Sequence, residues 1–343
     1  MKPFPESPFA ARADSDAAWP PVSVVIPVLN EERHLREAVH QVLSQEYPGE
    51  VEVVLALGPS TDRTDEVARE IAEADPRVTL VANPTGRTPS ALNAAIGAAR
   101  HKIIARVDGH AMLPRDYLRV AVETLHESGA DNVGGIMAAE GVTPFEKAVA
   151  VAMTSPVGVG GARFHTGGEA GPADTVYLGV FRREALDRVG GYDEKFLRAQ
   201  DWEMNHRIRQ TGGLVWFQPR MRVTYRPRPN LRALAKQYYH YGRWRRVVSR
   251  THAGTINLRY LAPPTALLAI VAGLALSPFW WPALIVPGGY VAAILAASVA
   301  TGRGLPPSSL ARLPLVYATM HMSWGYGFLT SPRDLGRGGA VRL

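Results

Sequence analysis

Short β-branched apolar runs alternate with amphipathic stretches from Val22 to Ala138. Val22-Ser23-Val24-Val25-Ile26-Pro27-Val28-Leu29 is apolar at nearly every position and stops at Asn30-Glu31-Glu32. Lys102-Ile103-Ile104-Ala105-Arg106-Val107 likewise stops at Asp108-Gly109-His110. Continuous apolar runs of this kind mark parallel strands covered on both faces. Between them, apolar positions recur at i, i+3 and i+4, as on a helix with one buried side. The pattern predicts strands over 22–27, 51–57, 77–81, 102–107 and 132–138, with helices over 31–45, 62–74, 89–99 and 114–128. Asp62 suits the N-cap of the second helix, with further acids in its first turn. Such alternation predicts an α/β fold: a mostly parallel sheet with helices on both faces and ligands beyond the carboxyl ends of the strands. Pro27 to Asn30, Gly58-Pro59-Ser60-Thr61-Asp62 and Asp108-Gly109-His110 all fall at that edge. The stretch 140–180 is less regular and rich in glycine, and reads either as a mobile loop or as an ordinary connection.

The pattern changes character in the second half. Between Arg259 and Arg303 lie 43 residues without a charge, room for two membrane-spanning helices at about 20 residues each. They are expected near 261–278 and 282–300, turned at Ser277-Pro278-Phe279-Trp280-Trp281-Pro282, where the tryptophans suit the membrane interface. A third uncharged run, Leu313 to Pro332, includes His321 and Ser323; it spans, re-enters or lies flat. Charge follows the same division. Residues 1–203 carry 20 Lys/Arg and 30 Asp/Glu; residues 204–343 carry 18 Lys/Arg and the single acid Asp334. A basic half joined to apolar runs points to a membrane surface and not to nucleic acid. With no cysteine in the chain, disulfides and thiolate metal sites are excluded. No signal peptide precedes the first strand, so a multi-pass cell-membrane protein with its large domain in the cytoplasm is expected. The expected divisions are a disordered polar arm (1–20), a catalytic domain (21–225), a basic interfacial helical segment (226–258), two to three spans (259–332) and a tail (333–343).

Three places carry candidate chemistry. Asp108 and His110 flank a glycine just past a strand, and alternate residues of an extended segment share a side. A carboxylate with an imidazole suits a divalent metal, Mn²⁺ or Mg²⁺, with Mn²⁺ favoured because Mg²⁺ prefers all-oxygen shells. The same letters also describe a solvated turn. Asp201 opens a helical stretch, as an N-cap or as a general base facing an attacking hydroxyl. Gln237-Tyr238-Tyr239-His240-Tyr241-Gly242-Arg243-Trp244-Arg245-Arg246 mixes aromatics with cations ahead of the first apolar run. It reads as a helix snorkelling onto acidic lipid, as a site for a diphosphate and a sugar, or as both.

Together these residues resemble the inverting family-two glycosyltransferases of the GT-A fold, most closely the succinoglycan-biosynthesis type. The resemblance covers roughly 22–250. It rests on the Val24-Val25-Ile26-Pro27 opening with Asn30-Glu31, on Ser60-Thr61-Asp62, on the Asp108 motif, on Val133-Gly134-Gly135, on Gly190-Gly191-Tyr192-Asp193-Glu194, on Asp201 with Arg207, and on Tyr241-Gly242-Arg243-Trp244. It implies that Pro27, Asn30 and Glu31 line a nucleoside pocket flanked by Asn93. Asp108 would contact ribose or metal, and His110 would take the metal-side position. Asp201 would deprotonate the acceptor hydroxyl. Gly191, Tyr192 and Asp193 would shape the acceptor side, while His240, Arg243 and Trp244 would meet the diphosphate or the acceptor, with Gln237 a rival for the glutamine of that motif. The implied partners are a nucleotide-diphosphate sugar (a UDP-sugar first), a lipid-linked saccharide acceptor and membrane lipid. The chain departs from the pattern at Leu57-Gly58, where an aspartate usually reads the nucleobase, and at Gln200, which replaces a frequent glutamate. Rival readings are a polyprenyl-phosphate monosaccharide synthase and a catalytically silent subunit that binds nucleotide sugars. A nucleotidyltransferase would usually show a glycine-rich, lysine-bearing loop after the first strand, and none is present.

Overall fold

The computed structural model describes residues 19–336. The expected arm lies outside the described residues but for its last two positions, and so does most of the expected tail. In chain order the elements begin β1 (Val22–Val28), α1 (Leu35–Leu43), β2 (Val51–Leu57), α2 (Thr64–Ala74), β3 (Val78–Ala82), α3 (Thr88–Ala98), β4 (Ile103–Arg106), α4 (Tyr117–Ser128) and β5 (Asn132–Ala139). They continue with α5 (Pro144–Met153), the short α6 (Pro156–Val159) and α7 (Arg163–Thr166), β6 (Gly171–Pro172), β7 (Tyr177–Arg182), α8 (Arg183–Val189), α9 (Gln200–Gln210) and β8 (Val215–Tyr225). Last come α10 (Leu231–Thr251), α11 (Leu258–Leu276), α12 (Ile285–Thr301), α13 (Pro307–Leu310) and α14 (Leu313–Leu329).

The chain forms two compact units, one of residues to Met137 with Gly167–Thr224, the other of Ala138–Thr166 with Tyr225 onward. Ala138–Thr166, expected within the catalytic domain, thus groups with the C-terminal helices. In the first unit the sheet order is β3-β2-β1-β4-β7-β5-β8-β6. β3, β2, β1 and β4 pair in parallel, as the uninterrupted Val/Ile runs predict. The expected regular alternation ends there, because β7 inserts between β4 and β5 and runs antiparallel to both. The core lies between β1, β2 and β4 and the helices α1 and α4: Val24, Ile26, Leu35, Val53, Leu55, Tyr117 and Leu118 are all fully buried. At the amino ends of β1 and β2, Ser23 and Glu52 face each other in register, and Ser23 Oγ donates to Glu52 Oε1 at 2.6 Å. Arg100 completes the group through its amide (2.7 Å to Oε1) and Nε (2.5 Å to Oε2).

Three predicted helix starts move, that of the fourth helix from 114 to Tyr117. The first helix begins at Leu35, not at residue 31, because Asn30 to Glu32 bond across to the loop after β2. Asp62 lies one residue before the cap of α2, where its Oδ1 accepts from the Thr64 amide (3.1 Å) and hydroxyl (2.5 Å). The irregular stretch after residue 140 is not all loop. α5 forms there, closed by a capping box in which Thr143 Oγ1 accepts from the Glu146 amide and Glu146 accepts from the Thr143 amide.

In the second unit, α14 packs along α10 through glycines. A Cβ on Gly242 would stand 2.0 Å from the Trp324 carbonyl oxygen, and one on Gly327 2.0 Å from that of Tyr239. In the third apolar run, Val316, Tyr317, Met320 and Phe328 of α14 are buried within the protein. Among the described residues, Leu258–Leu276 and Trp281–Thr301 are the two helices long and apolar enough to cross a membrane, and only 11% and 17% of them is buried. Phe279, Trp280 and Trp281 at the turn are 90%, 62% and 75% exposed. Apolar surface of this extent, left open to solvent, is the mark of a contact surface.

Candidate active site

The site grows from the carboxyl edge of the parallel strands. Chain connections leave β1 for β2 on one side, and β4 lies on the other, so a crevice opens beyond the ends of β1 and β4. Register fixes its mouth. Pairing of β1 with β4 stops at Val25–Arg106, whereas pairing with β2 runs on to Val28–Leu57. Pro27, which has no N–H to give, lies where the β4 side of β1 no longer needs one. Asn30 follows with φ 56°, a left-handed conformation that asparagine tolerates better than most residues. Its side-chain oxygen accepts from the Thr61 amide at 2.8 Å and its own amide donates to Ser60 Oγ at 3.1 Å. Glu31 donates its amide to Thr64 Oγ1 at 2.7 Å and turns its carboxylate to His110 Nδ1 at 2.8 Å. Pro27, Asn30, Glu31 and His110 therefore form one rim. Across it lies Gly58, next to Leu57, where the family aspartate is missing; a Cβ there would stand 3.0 Å from Leu29 Cδ1 and 3.3 Å from the Gly86 backbone, a tight fit.

The centre is a triad absent from the sequence reading. Arg106, the last residue of β4, has a side chain only 6% exposed between Ala105 and Val107, both fully buried. Its Nε and Nη2 donate to Asp108 Oδ1 at 3.3 and 3.1 Å, and its Nη1 donates to Asp201 Oδ1. Neither second carboxylate oxygen takes a hydrogen bond from the described residues. Burial pulls the Arg106 guanidinium down, but Asp108, together with Tyr192 and Tyr177, more than offsets this and holds the group above its ordinary value. Tyr192, 3% exposed, lies beside it; burial pushes its hydroxyl up while Arg106 opposes the shift. The sequence did carry a signal for Arg106: one cation inside an apolar run, two residues before Asp108 and so on its side of the strand.

Asp201 is not the N-cap of α9. That position is Ala199, with φ 59° and no side-chain cap, so the carboxylate of Asp201 is not absorbed by the helix that carries it. The loop from Gly190 to Glu194 is held from two directions. Gly190 and Gly191 (φ 73° and 72°) end α8, and Asn93 of α3 clasps Tyr192 by donating to its carbonyl and accepting from its amide, both at 2.8 Å. In this arrangement Asn93 and Ser90, which donates to Glu194 at 2.7 Å, position the loop. From α9, Arg207 grips Glu203 through two 2.7 Å bonds and donates to the Val189 and Gly191 carbonyls. Asp193 Oδ1 accepts from the Lys195 amide at 2.9 Å, turning the chain after the loop.

In the second unit, the Arg243 guanidinium lies 5.3 Å from the Tyr239 ring, and its Nε is buried without a hydrogen-bond acceptor among the described residues. His240 lies edge-on to Tyr239. Trp244 is 2% exposed, so in this structure its ring face is not open for stacking on a sugar. Gln237 donates to the hydroxyls of Tyr225 and Tyr241.

No group of three His, Cys, Asp or Glu side chains able to hold a metal ion occurs among the described residues. The donor set at the crevice is the open Asp108 Oδ2 and the His110 imidazole. It fits a divalent cation only as an open site whose remaining ligands are substrate and water.

Comparison with known proteins gives the same direction. The sequence profile of glycosyl transferase family 2 matches residues 23–190. The succinoglycan biosynthesis protein ExoA of Rhizobium meliloti is 35% identical over 319 residues, covering 92% of this chain and 96% of that protein. A dolichyl N-acetyl-glucosaminyl phosphate glucuronosyltransferase of Methanococcus voltae is 25% identical over 71% of this chain and 77% of its own. Among solved structures, a mannosyltransferase from Pyrobaculum calidifontis in complex with GDP-Man and Mn²⁺ superposes with TM-score 0.60 at 23% identity, over 93% of this chain and 88% of that one. S. aureus TarS in complex with UDP gives 0.51 at 16% identity, over 90% of each. These two likenesses establish the GT-A fold.

Proposed function

The chain belongs to glycosyl transferase family 2, and on that premise we propose that it transfers a hexose from a nucleotide-diphosphate sugar to a lipid-linked saccharide or a growing exopolysaccharide. The transfer inverts the anomeric carbon and takes place at the cytoplasmic face of the cell membrane. The observation that carries this reading is the pair of carboxylates at the crevice. Each gives one oxygen to Arg106 and keeps the other open, one on the strand side and one on α9. The relative from Rhizobium meliloti, a succinoglycan biosynthesis protein, supports the polysaccharide acceptor. A UDP-sugar is the first donor to try, with a GDP-sugar next because Leu57-Gly58 lacks the aspartate that usually reads the nucleobase.

Pro27, Asn30 and Glu31 line the nucleoside side, and Asp108 Oδ2 with His110 face the diphosphate. When bound there, a divalent cation supplies charge for the departing nucleoside diphosphate. Asp201 Oδ2, on a side chain 39% exposed, accepts the proton of the acceptor hydroxyl. The acceptor oxygen then bonds to the anomeric carbon as the bond to the diphosphate oxygen breaks, a single displacement that inverts the centre. Gly191, Tyr192 and Asp193 shape the acceptor side, while His240 and Arg243 are proposed to meet the diphosphate or the acceptor. Calorimetric titration of UDP and GDP with and without Mn²⁺ tests the donor half. Asp108→Asn is expected to lose the Mn²⁺-dependent part of the affinity, about tenfold or more. Equal affinity in both proteins would remove Asp108 from the donor site.

A further inference from the structure

We propose that Arg106 is a positioning residue for the transfer, holding the donor-side carboxylate Asp108 and the acceptor-side carboxylate Asp201 in one fixed relation before substrate arrives; this rests on the transferase reading above. Three features of the geometry carry it. The guanidinium meets the two carboxylates through different nitrogens: Nε and Nη2 on Asp108 Oδ1, Nη1 on Asp201 Oδ1. A planar fork with donors at fixed angles transmits orientation from one partner to the other, which the single ammonium of a lysine does not. The side chain is also 6% exposed, in a strand whose neighbouring residues are fully buried. A permanent charge there is tolerated only with partners, and the partners it has are the two groups given the donor and acceptor roles. Finally, Asp201 turns to Arg106 although it lies in the first turn of α9, whose own amides are the local alternative.

The arrangement also sets which oxygens react. Arg106 occupies Oδ1 of each carboxylate, so donor and acceptor both address Oδ2. An Arg106 that served only as a core ion pair would cost stability when removed, and its loss would lower the rate by the same factor whether or not Asp201 were intact. A positioning Arg106 acts through Asp201, so its contribution to the rate vanishes once Asp201 is gone.

The test is a double-mutant cycle on the full chain in detergent: wild type, Arg106→Met, Arg106→Lys, Asp201→Asn and the Arg106→Met/Asp201→Asn pair. Transfer kinetics, nucleotide affinity and thermal midpoint are read for each. Arg106→Met is expected to lower kcat at least about 100-fold in the wild-type background. The same step in the Asp201→Asn background should cost less than about threefold, with nucleotide affinity weakened less than about tenfold in both. Arg106→Lys should regain only part of the lost rate, since it restores charge without the fork. Equal fold-losses in the two backgrounds, or full rescue by lysine, would overturn the proposal. If Arg106→Met does not fold, Arg106→Lys runs the same cycle. If wild type turns over no donor, the transferase reading fails on its own, and the cycle is read from thermal midpoints. Non-additive shifts then keep the Arg106–Asp201 link, and additive shifts remove it.

Discussion

Asp201 and Glu52 stand at opposite ends of the sheet, and the same kind of partner decides what each can do. Asp201 at the carboxyl edge is tied to a buried arginine by one oxygen and open at the other. Asp201→Asn keeps the shape and removes the proton acceptor, so transfer should fall about 10²- to 10⁴-fold, measured as kcat, while the thermal midpoint shows that the fold survives. Glu52 at the amino end is 2% exposed and fully engaged by Ser23 and Arg100. Burial alone would raise its pKa, but those hydrogen bonds, with the neighbouring His101, leave it below the ordinary glutamate value. A carboxyl depressed in the folded state contributes stability that is present above its unfolded pKa and lost as pH falls through the folded one. Glu52→Gln should therefore cost about 2 kcal/mol at pH 7 in denaturant titration, and wild type and variant should converge in acid. Many of the site residues were legible as letters, because each edge motif ends an apolar run. Arg106 was not, since a cation two places before Asp108 names no partner until α9 brings Asp201 to it.

At the scale of elements, glycine decides how α10 and α14 meet. With no Cβ, Gly242 and Gly327 let the two backbones approach within a distance that any side chain would block. Gly242→Ala overpacks this contact and should destabilise by about 1–3 kcal/mol, read as a lowered unfolding temperature in detergent. The mirror change, Gly288→Ala in α12, meets nothing within 4 Å and should be silent. The four parallel strands were readable because burial on both faces leaves an unbroken apolar signature. β7 was not, because its insertion between β4 and β5 depends on long-range pairing that local sequence does not encode. α5 escaped for the opposite reason. Its Thr143-x-x-Glu146 capping box was present, but glycines downstream drew the whole stretch toward loop. The packing of α14 likewise depended on a distant partner, α10.

For the whole molecule, charge divides along the chain, and the basic portion is the one that carries the apolar helices. Eighteen of the basic residues and a single acid lie from residue 204 onward, the portion that contains both apolar helices long enough to cross a membrane. Arg259 lies in the first turn of the first of these helices, and Arg303 and Arg312 follow the second, an arrangement that favours both ends on the cytoplasmic side. The absence of cysteine makes this directly testable. With an impermeant maleimide, Ser277→Cys should label in intact cells and Ser308→Cys only after permeabilisation; identical labelling of the two would rule out a crossing hairpin. The central claim, an inverting and Asp201-dependent transfer, is tested most directly by one assay. Detergent-purified protein is offered UDP-, GDP- and dTDP-sugars with Mn²⁺ and lipid-linked saccharide acceptors, beside Asp201→Asn, and the anomeric configuration of the product is read by NMR. Transfer from one donor with inverted configuration, lost in Asp201→Asn, is the predicted result. A retained configuration, a rate indifferent to Asp201, or no transfer from any donor would contradict it.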